Sequence, residues 1–242
     1  MITVDFDRLS IKPGSRILDI GCGTGRHIGG AFRLREVVAI GVDINFDDVI
    51  EAESRLKNQE RLGEHGGGMC KVSVADIYHL PFRDNCFDLV ICSEILEHLH
   101  DENTAVSEAV RVLKPGKHFV GSVPKYLPER ICWALSHNYH NTENGHIRIY
   151  KKKALTDLLE REGLKLRGYH SAHSLHTPYW WLKCLVGPER VDCRLVNLYH
   201  RLLVWDIMNH PWITRLLDRL LNPVMGKSLV VYLTKNDSNT VS

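Results

Sequence analysis

Between residues 16 and 25 the chain reads Arg16-Ile17-Leu18-Asp19-Ile20-Gly21-Cys22-Gly23-Thr24-Gly25, a short apolar strand running into a turn with glycine at every second position. Glycine tolerates positive φ and close approach of a ligand, and the first amides of a following helix attract an anionic group. Such a turn is either a cradle at the end of a sheet strand or only a tight turn. Three glycines alone do not decide between the two.

The surroundings favour the cradle. From residue 16 to 123 strand-like and helix-like patterns alternate, which builds a parallel sheet from crossover units. The strands are expected at 16–20, 37–43, 69–75, 87–92 and 117–123. Helices are expected from the glycine turn to about Leu34, over 46–61 and over 102–113, the last stopped by Pro115-Gly116. Helix 46–61 opens acidic and closes basic, as the helix dipole prefers. After residue 123 the rhythm slackens. Residues 124–149 read as a loop-rich insertion with a short helix near Ile131 to Leu135, followed by a helix over 151–162 and a strand over 164–171. A final strand is expected over 228–234. Between the last two strands lies a second insertion of about 55 residues, which holds four of the five tryptophans, Trp180, Trp181, Trp205 and Trp212. Its Ile213, Leu216, Leu217, Leu220 and Leu221 follow helical spacing. Residues 236–242 read as a frayed polar tail.

Composition removes other classes. Lysine plus arginine is 31 against 29 for aspartate plus glutamate, a net charge of +2, too balanced for a face that grips nucleic acid. The first residues are acidic where a signal peptide would need a basic segment, and the apolar stretches of about six residues fall short of the roughly 18 to 20 of a membrane span. Seven cysteines without a Cys-x-x-Cys pair fit reduced thiols. The expected compartment is the cytoplasm, with peripheral membrane contact as an added option.

Spacing then distinguishes ligands. A dinucleotide fingerprint reads Gly-x-Gly-x-x-Gly, its third glycine serving helix packing beside the pyrophosphate. Here the third glycine comes one residue early and Arg26 takes its place. A ligand with a carboxylate and no pyrophosphate fits better. Asp43 ends strand two, 18 residues after Gly25, where a carboxylate can accept both hydroxyls of an adenosine ribose. Asp76-Ile77 follows strand three, where an acid could take the adenine amino group and Ile77 could pack on the ring.

The stretches LDIGCGTG, GVDIN, ADIYHLPF, FDLVICSEILEHL and RVLKPGKHFVGSVP, in that order over roughly residues 10 to 125, resemble the class I S-adenosylmethionine-dependent methyltransferases. The resemblance implies an α/β, Rossmann-like sheet of seven mostly parallel strands, the last antiparallel, with helices on both faces and a helical insertion before the last strand. One domain is expected over 1–242, with a cofactor-binding half at 10–123. Because only about 15 residues precede strand one and could close the site, the insertions at 124–150 and 173–227 are expected to form a lid and set acceptor specificity. The cofactor implied is S-adenosylmethionine, held by Asp19, Gly21, Gly23 and Gly25, with Asp43 on the ribose and Asp76 and Ile77 on the adenine. Cys22, Thr24, Ile44 and Ser93 complete that set. For Asp19 a loop-stabilising role without ligand contact stays open.

Ser93-Glu94-Ile95-Leu96-Glu97-His98 follows strand four, at the edge where open α/β sheets bind ligands. If the turn is helical, Glu94, Glu97 and His98 share a face. Ubiquinone-pathway O-methyltransferases carry a similar Glu-x-x-Glu-His stretch, in some cases with a divalent metal, so a metal stands as the less favoured option beside acid-base chemistry. The catalytic candidates are Glu97, His98 and His146; the last sits in Gly145-His146-Ile147-Arg148-Ile149-Tyr150, which relatives place near the acceptor. His170, His173 and His176 cannot all meet one metal without a bend in their strand. Lys151-Lys152-Lys153 is read as a solvated helix start. The tryptophan-rich insertion suits an acceptor pocket, a membrane surface or core packing.

The expected function is methyl transfer to a small or lipid-like acceptor, at oxygen, with quinone-like and sugar-like molecules both open. A nicotinamide oxidoreductase and a non-catalytic S-adenosylmethionine-binding scaffold are the competing readings. Oligomeric state and the acceptor's identity are not legible.

Overall fold

In the computed structural model, which describes residues 2–142 and 145–237, seven strands form one sheet in the order β3-β2-β1-β4-β5-β7-β6. The strands are β1 (Arg16–Ile20), β2 (Val38–Asp43), β3 (Met69–Val74), β4 (Phe87–Ser93), β5 (Leu113–Pro124), β6 (Leu164–Ala172) and β7 (Ser228–Lys235). All neighbours pair in parallel except β7, which runs antiparallel to both β5 and β6. This is the expected architecture. The tail expectation falls mostly on 238–242, outside the described residues.

Alternation along the central strands builds two cores. Leu18 and Ile20 of β1 with Val90 and Cys92 of β4 face one side, against Val106 and Ala109 of α3 (Glu102–Val112) and Leu155 and Leu159 of α6 (Lys152–Arg161). Ile17, Leu89 and Ile91 face the other, against Ile28, Ala31 and Phe32 of α1 (Arg26–Phe32) and Leu56 of α2 (Phe46–Arg61). Strands covered on both faces have to be apolar throughout, which is why β1 and β4 read as nearly unbroken apolar runs.

Two expectations are corrected. Pro115-Gly116 is expected to separate a helix from a strand, but β5 already begins at Leu113; the register against β4 shifts between Phe87 and Leu89, so the two residues ride a bulge inside the strand. The first insertion holds more helix than expected, α4 (Tyr126–Leu135) and the short α5 (His137–His140). Pro128, at the third position of α4, falls in the first turn, where its missing N–H costs no helical hydrogen bond.

The second insertion forms α7 (His176–Val186), α8 (Arg194–Asn209) and α9 (Trp212–Met225), and none of its side chains joins either sheet core. It leaves β6 and enters β7 at the sheet edge where β1 ends in the glycine turn, since β6 runs parallel to β5 and β7 runs back. Both insertions therefore rise from the same edge. Among the described residues no helix is long and apolar enough to cross a membrane.

Candidate active site

The glycine turn has the conformation its sequence requires: Gly21, Gly23 and Gly25 have φ of +62°, +48° and +89°. A Cβ on Gly23 would meet nothing within 4 Å, so the turn leaves room for a ligand there. Asp19, buried on the α1 side of β1, accepts the Ile28 amide at 3.0 Å through one oxygen and leaves the other buried without a partner. Burial pushes its pKa up to about 7 against the Ile28 hydrogen bond and the charge of Arg26. The orphaned oxygen and the open turn together fit a polar ligand group seated on the first amides of α1.

Asp43 ties this turn to β2. One carboxylate oxygen accepts the Gly23 amide at 2.8 Å and the other the Asn45 amide at 2.9 Å. Each oxygen keeps a lone pair, enough to receive two ribose hydroxyls. Asp43, Gly21, Ile44, Asp76 and Ile77, all expected at the cofactor, line one cavity of about 220 Å³ with Ile95 and His98. Three others are turned away from it. The Cys22 thiol lies against Gly41 in the sheet, Thr24 accepts Arg55 at 3.0 Å, and the Ser93 hydroxyl is buried 2.6 Å from that of Ser122.

The segment after β4 departs from expectation. Glu94 stands at φ +58°, a left-handed conformation that costs a non-glycine residue of order 1 kcal/mol or more, and only Leu96–His98 makes a short 3-10 turn. Glu94, Glu97 and His98 therefore do not form one helical face. Glu94 instead accepts the Ser122 hydroxyl at 3.2 Å. Convergence comes from a different quarter: Glu97, His98 and His146 bring one potential ligand atom each to within 4.8 Å of one another. Residues 145–150 are laced onto the turn by Ile147 N–H to the Glu97 carbonyl (3.0 Å), Arg148 to the His100 carbonyl (3.1 Å) and to Glu102, and the Tyr150 hydroxyl to the Leu96 carbonyl (3.3 Å). The His98 and His146 rings end 4.9 Å apart.

Glu129, on α4, is the member the sequence did not yield. It is 3% exposed, sits 2.6 Å from His146 Nδ1 and accepts the Tyr139 hydroxyl at 3.5 Å. Burial alone would raise its carboxyl, but the His146 hydrogen bond and charge hold it below the ordinary range. An ionised carboxylate only accepts, so Nδ1 carries the hydrogen of this contact, and when the ring is neutral its lone pair is at Nε2. The available signal is an acid on the inward side of a helix that also buries Cys132 one turn on, hidden because the sequence pattern starts the helix only near Ile131. Glu97 differs: neither carboxylate oxygen has a hydrogen-bond partner, and burial, then the nearby charge of Glu94, drives it strongly toward its neutral form.

A second cavity, of about 960 Å³, opens beyond the first and is lined by His98, His146, His140 and Asn141. Asp43, Ile44 and His98 line both cavities. On the insertion side the larger one is lined by residues 140–142 and 145–147, and behind them α7 is tied to α4, the Trp181 indole donating to the Pro128 carbonyl at 3.0 Å. His170 stacks on Tyr232 and His173 packs edge-on against His176, away from this cluster.

Residues 18–121 match the family described as methyltransferase domain. Among curated proteins, the chain is 38% identical over 107 residues to an uncharacterized methyltransferase of Schizosaccharomyces pombe, covering 44% of this chain and 38% of that one. It is 33% identical over 110 residues to the O-methyltransferase rstn1 of Aspergillus nomiae (46% and 47%), and 32% identical over 144 residues to cycloartenol-C-24-methyltransferase 1 of rice, Oryza sativa (59% and 37%). The chain spans about a third to a half of the length of the curated relatives it matches. Among solved structures, an S-adenosylmethionine-dependent methyltransferase of Methanosarcina mazei superposes with TM-score 0.59 at 17% identity, over 94% of this chain and 95% of that one. The [4+2]-cyclase SpnF superposes with TM-score 0.61 at 19% identity, over 96% and 79%. At these identities the structural likeness concerns the fold.

Proposed function

We propose, from the premise that residues 18–121 belong to the class I S-adenosylmethionine-dependent methyltransferase domains, that this chain methylates a hydroxyl of a small or lipid-like acceptor. The observation that carries the reading is the shared wall. Asp43, Ile44 and His98 border both the cavity beside the glycine turn and the larger cavity onto which His146 opens. A cofactor held on one side and an acceptor on the other would meet there.

In this reading the turn amides and Asp19 receive the amino-acid end of the cofactor, Asp43 its ribose, and Asp76 and Ile77 its adenine. S-adenosylmethionine supplies a methyl carbon activated by its sulfonium. The chain's first task is orientation, which can contribute about 7 to 11 kcal/mol when reacting groups are held in near-attack geometry. Its second is proton removal. His146 Nε2 takes the acceptor's hydroxyl proton while the Glu129 carboxylate holds Nδ1–H and stabilises the imidazolium that forms, an arrangement that typically contributes about 10²- to 10⁴-fold. His98, fixed by its Nδ1–H donating to the Gly145 carbonyl at 3.1 Å, orients the acceptor from the shared wall. Glu97 supplies a buried neutral acid beneath both rings.

Glu97, His98 and His146 could also hold a divalent ion. Such an ion would itself favour an ionised Glu97; without one, burial and the charge of Glu94 favour the neutral form, and this reading gives the cluster acid-base work. In this reading residues 124–150 and 173–227 act as the acceptor side of the site, with residues 140–142 and 145–147 lining the larger cavity. The test is to incubate the protein with deuterated-methyl S-adenosylmethionine and cell extract, and to read the products by mass spectrometry. The reading expects a labelled O-methyl product that persists after treatment with a chelator. Label found only on carbon or nitrogen, or lost with the chelator, would overturn the O-methyl base assignment.

A further inference from the structure

Fifteen of the twenty-six large hydrophobic side chains that stand exposed among the described residues fall within 185–224, about a sixth of the chain. Scattered exposed leucines are ordinary, but a concentration of this kind marks a surface that something covers. Helix α9 shows this most clearly, because its amphipathic pattern is inverted. It buries no residue, and Trp212, Ile213, Leu216, Leu217, Leu220 and Val224 all point outward, from 43% to 73% exposed. Spaced at 100° per residue, these six lie within an arc of about 140°.

The polar side of the same helix faces the protein. Ser174 donates its amide to Asn222 Oδ1 at 2.9 Å and its hydroxyl to Asp218 Oδ1 at 2.7 Å. Lys125 caps the C-terminal end, its ammonium 2.6 Å from the Pro223 carbonyl. The helix is thus held down by hydrogen bonds and holds its apolar side away from the fold. Helix α8 continues the surface with exposed Leu198, Leu202, Trp205 and Met208, and an almost wholly apolar groove of about 590 Å³ runs between α7 and α8.

Charge identifies the occupant. Residues 173–227 carry seven Lys and Arg against four Asp and Glu, whereas the rest of the chain carries 24 against 25, so the chain's positive balance resides in this insertion. Of the four acids, Asp192 pairs with Arg190, Asp206 pairs with Arg215, and Asp218 is held by Ser174. Arg194, Arg201 and Arg219 form no ion pair among the described residues and border the apolar helices. An apolar face with tryptophan, edged by arginines whose stems can lie along it, has the chemistry of an interfacial helix on an anionic bilayer. A second copy of the chain would place these like charges against each other.

We infer that the outward faces of α8 and α9 dock this protein on the surface of an anionic phospholipid membrane. The inference does not depend on methyl transfer, and its test involves no catalysis. The full chain is floated with vesicles of phosphatidylcholine alone and of phosphatidylcholine with a quarter phosphatidylserine, at low and high salt. Wild type is expected to float with the anionic vesicles, less so at high salt, and the Trp212→Ser, Leu216→Ser, Leu220→Ser triple variant to bind at least about tenfold more weakly at an unchanged melting temperature. Should the triple variant fail to fold, Arg219→Glu and quenching of wild-type tryptophan emission by brominated lipid give the same readout. Wild type that neither floats nor is quenched, binding undiminished in the variants, or light scattering that finds a lipid-free dimer dissolved by the triple variant would each overturn the inference.

Discussion

Helix α6 turns Leu155, Leu158 and Leu159 into the sheet, where all three are buried, while α9 turns Leu216, Leu217 and Leu220 outward, where each is more than 40% exposed. Both helices have a well-formed apolar stripe on one side. The difference is in what the other side can do. Helix α6 keeps its lysines at the surface, Lys152 over the Tyr169 ring and Lys153 in an i,i+4 pair with Asp157 at 2.8 Å. Helix α9 instead commits Asp218 and Asn222 to hydrogen bonds with the fold. An apolar stripe says that a helix has a face to cover; it does not say with what.

The active site lies between these two regimes, and breaking it should produce the largest effect. His146→Ala is expected to lower kcat by about 10²- to 10⁴-fold with little change in cofactor affinity. Glu129→Gln, which keeps the shape but not the charge, should cost about tenfold or more in kcat, because the imidazolium formed on proton transfer loses the carboxylate that stabilises it. Equal activity in His146→Ala would remove the base assignment and leave orientation as the whole mechanism.

The sheet half is sharpened next by stability. Leu159→Ala, in a fully buried position, should destabilise the fold by about 2 to 5 kcal/mol in urea unfolding. Asp19 adds a pH signature. Its folded pKa is raised from 3.8 to about 7, so the folded state prefers the protonated form, and the contribution is fully present below the unfolded value and lost as pH rises through the folded one. Asp19→Asn keeps an acceptor for the Ile28 amide and removes the titration. Between about pH 4 and pH 7 the variant should therefore gain on wild type by up to about 4 kcal/mol, since each tenfold change in proton affinity between the two states is worth ~1.4 kcal/mol. A pH-independent difference between the two would show that Asp19 is ionised in the fold.

The smallest effect is expected where the apolar pattern looks strongest. Leu220→Ala on α9 should change lipid-free stability by no more than about 0.5 kcal/mol. A loss comparable to that of Leu159→Ala would mean that the α9 face is already covered in solution.

These contrasts also mark how far the chain can be read in advance. The alternation over residues 16–123, the glycine turn and the acid at position 43 are local signals, because a strand that must be apolar on both faces and a turn that must accept positive φ leave few residue choices. His146 is legible for the same reason, as part of a compact Gly-His-Ile-Arg-Ile-Tyr stretch. Glu129 and the Glu97–His98–His146 convergence are not. They depend on residues 145–150 lacing onto the turn after β4, about fifty residues earlier, and on His146 meeting Glu129 of α4, contacts that no short-range period records. The faces of α9 escape in the same way: residues 213 to 221 announce a helix, and only Ser174 and Lys125, distant in sequence, determine which side lies inward.

If the glycine turn and Asp43 hold S-adenosylmethionine, as every role assigned around them requires, calorimetric titration of the full chain shows it directly. Wild type should bind one equivalent of S-adenosylmethionine and no NAD. Asp43→Ala should lose affinity by about 10²-fold or more, as removal of two hydrogen bonds from a charged acceptor implies. Binding that survives in Asp43→Ala unchanged, or a wild type that takes NAD instead, would contradict that assignment.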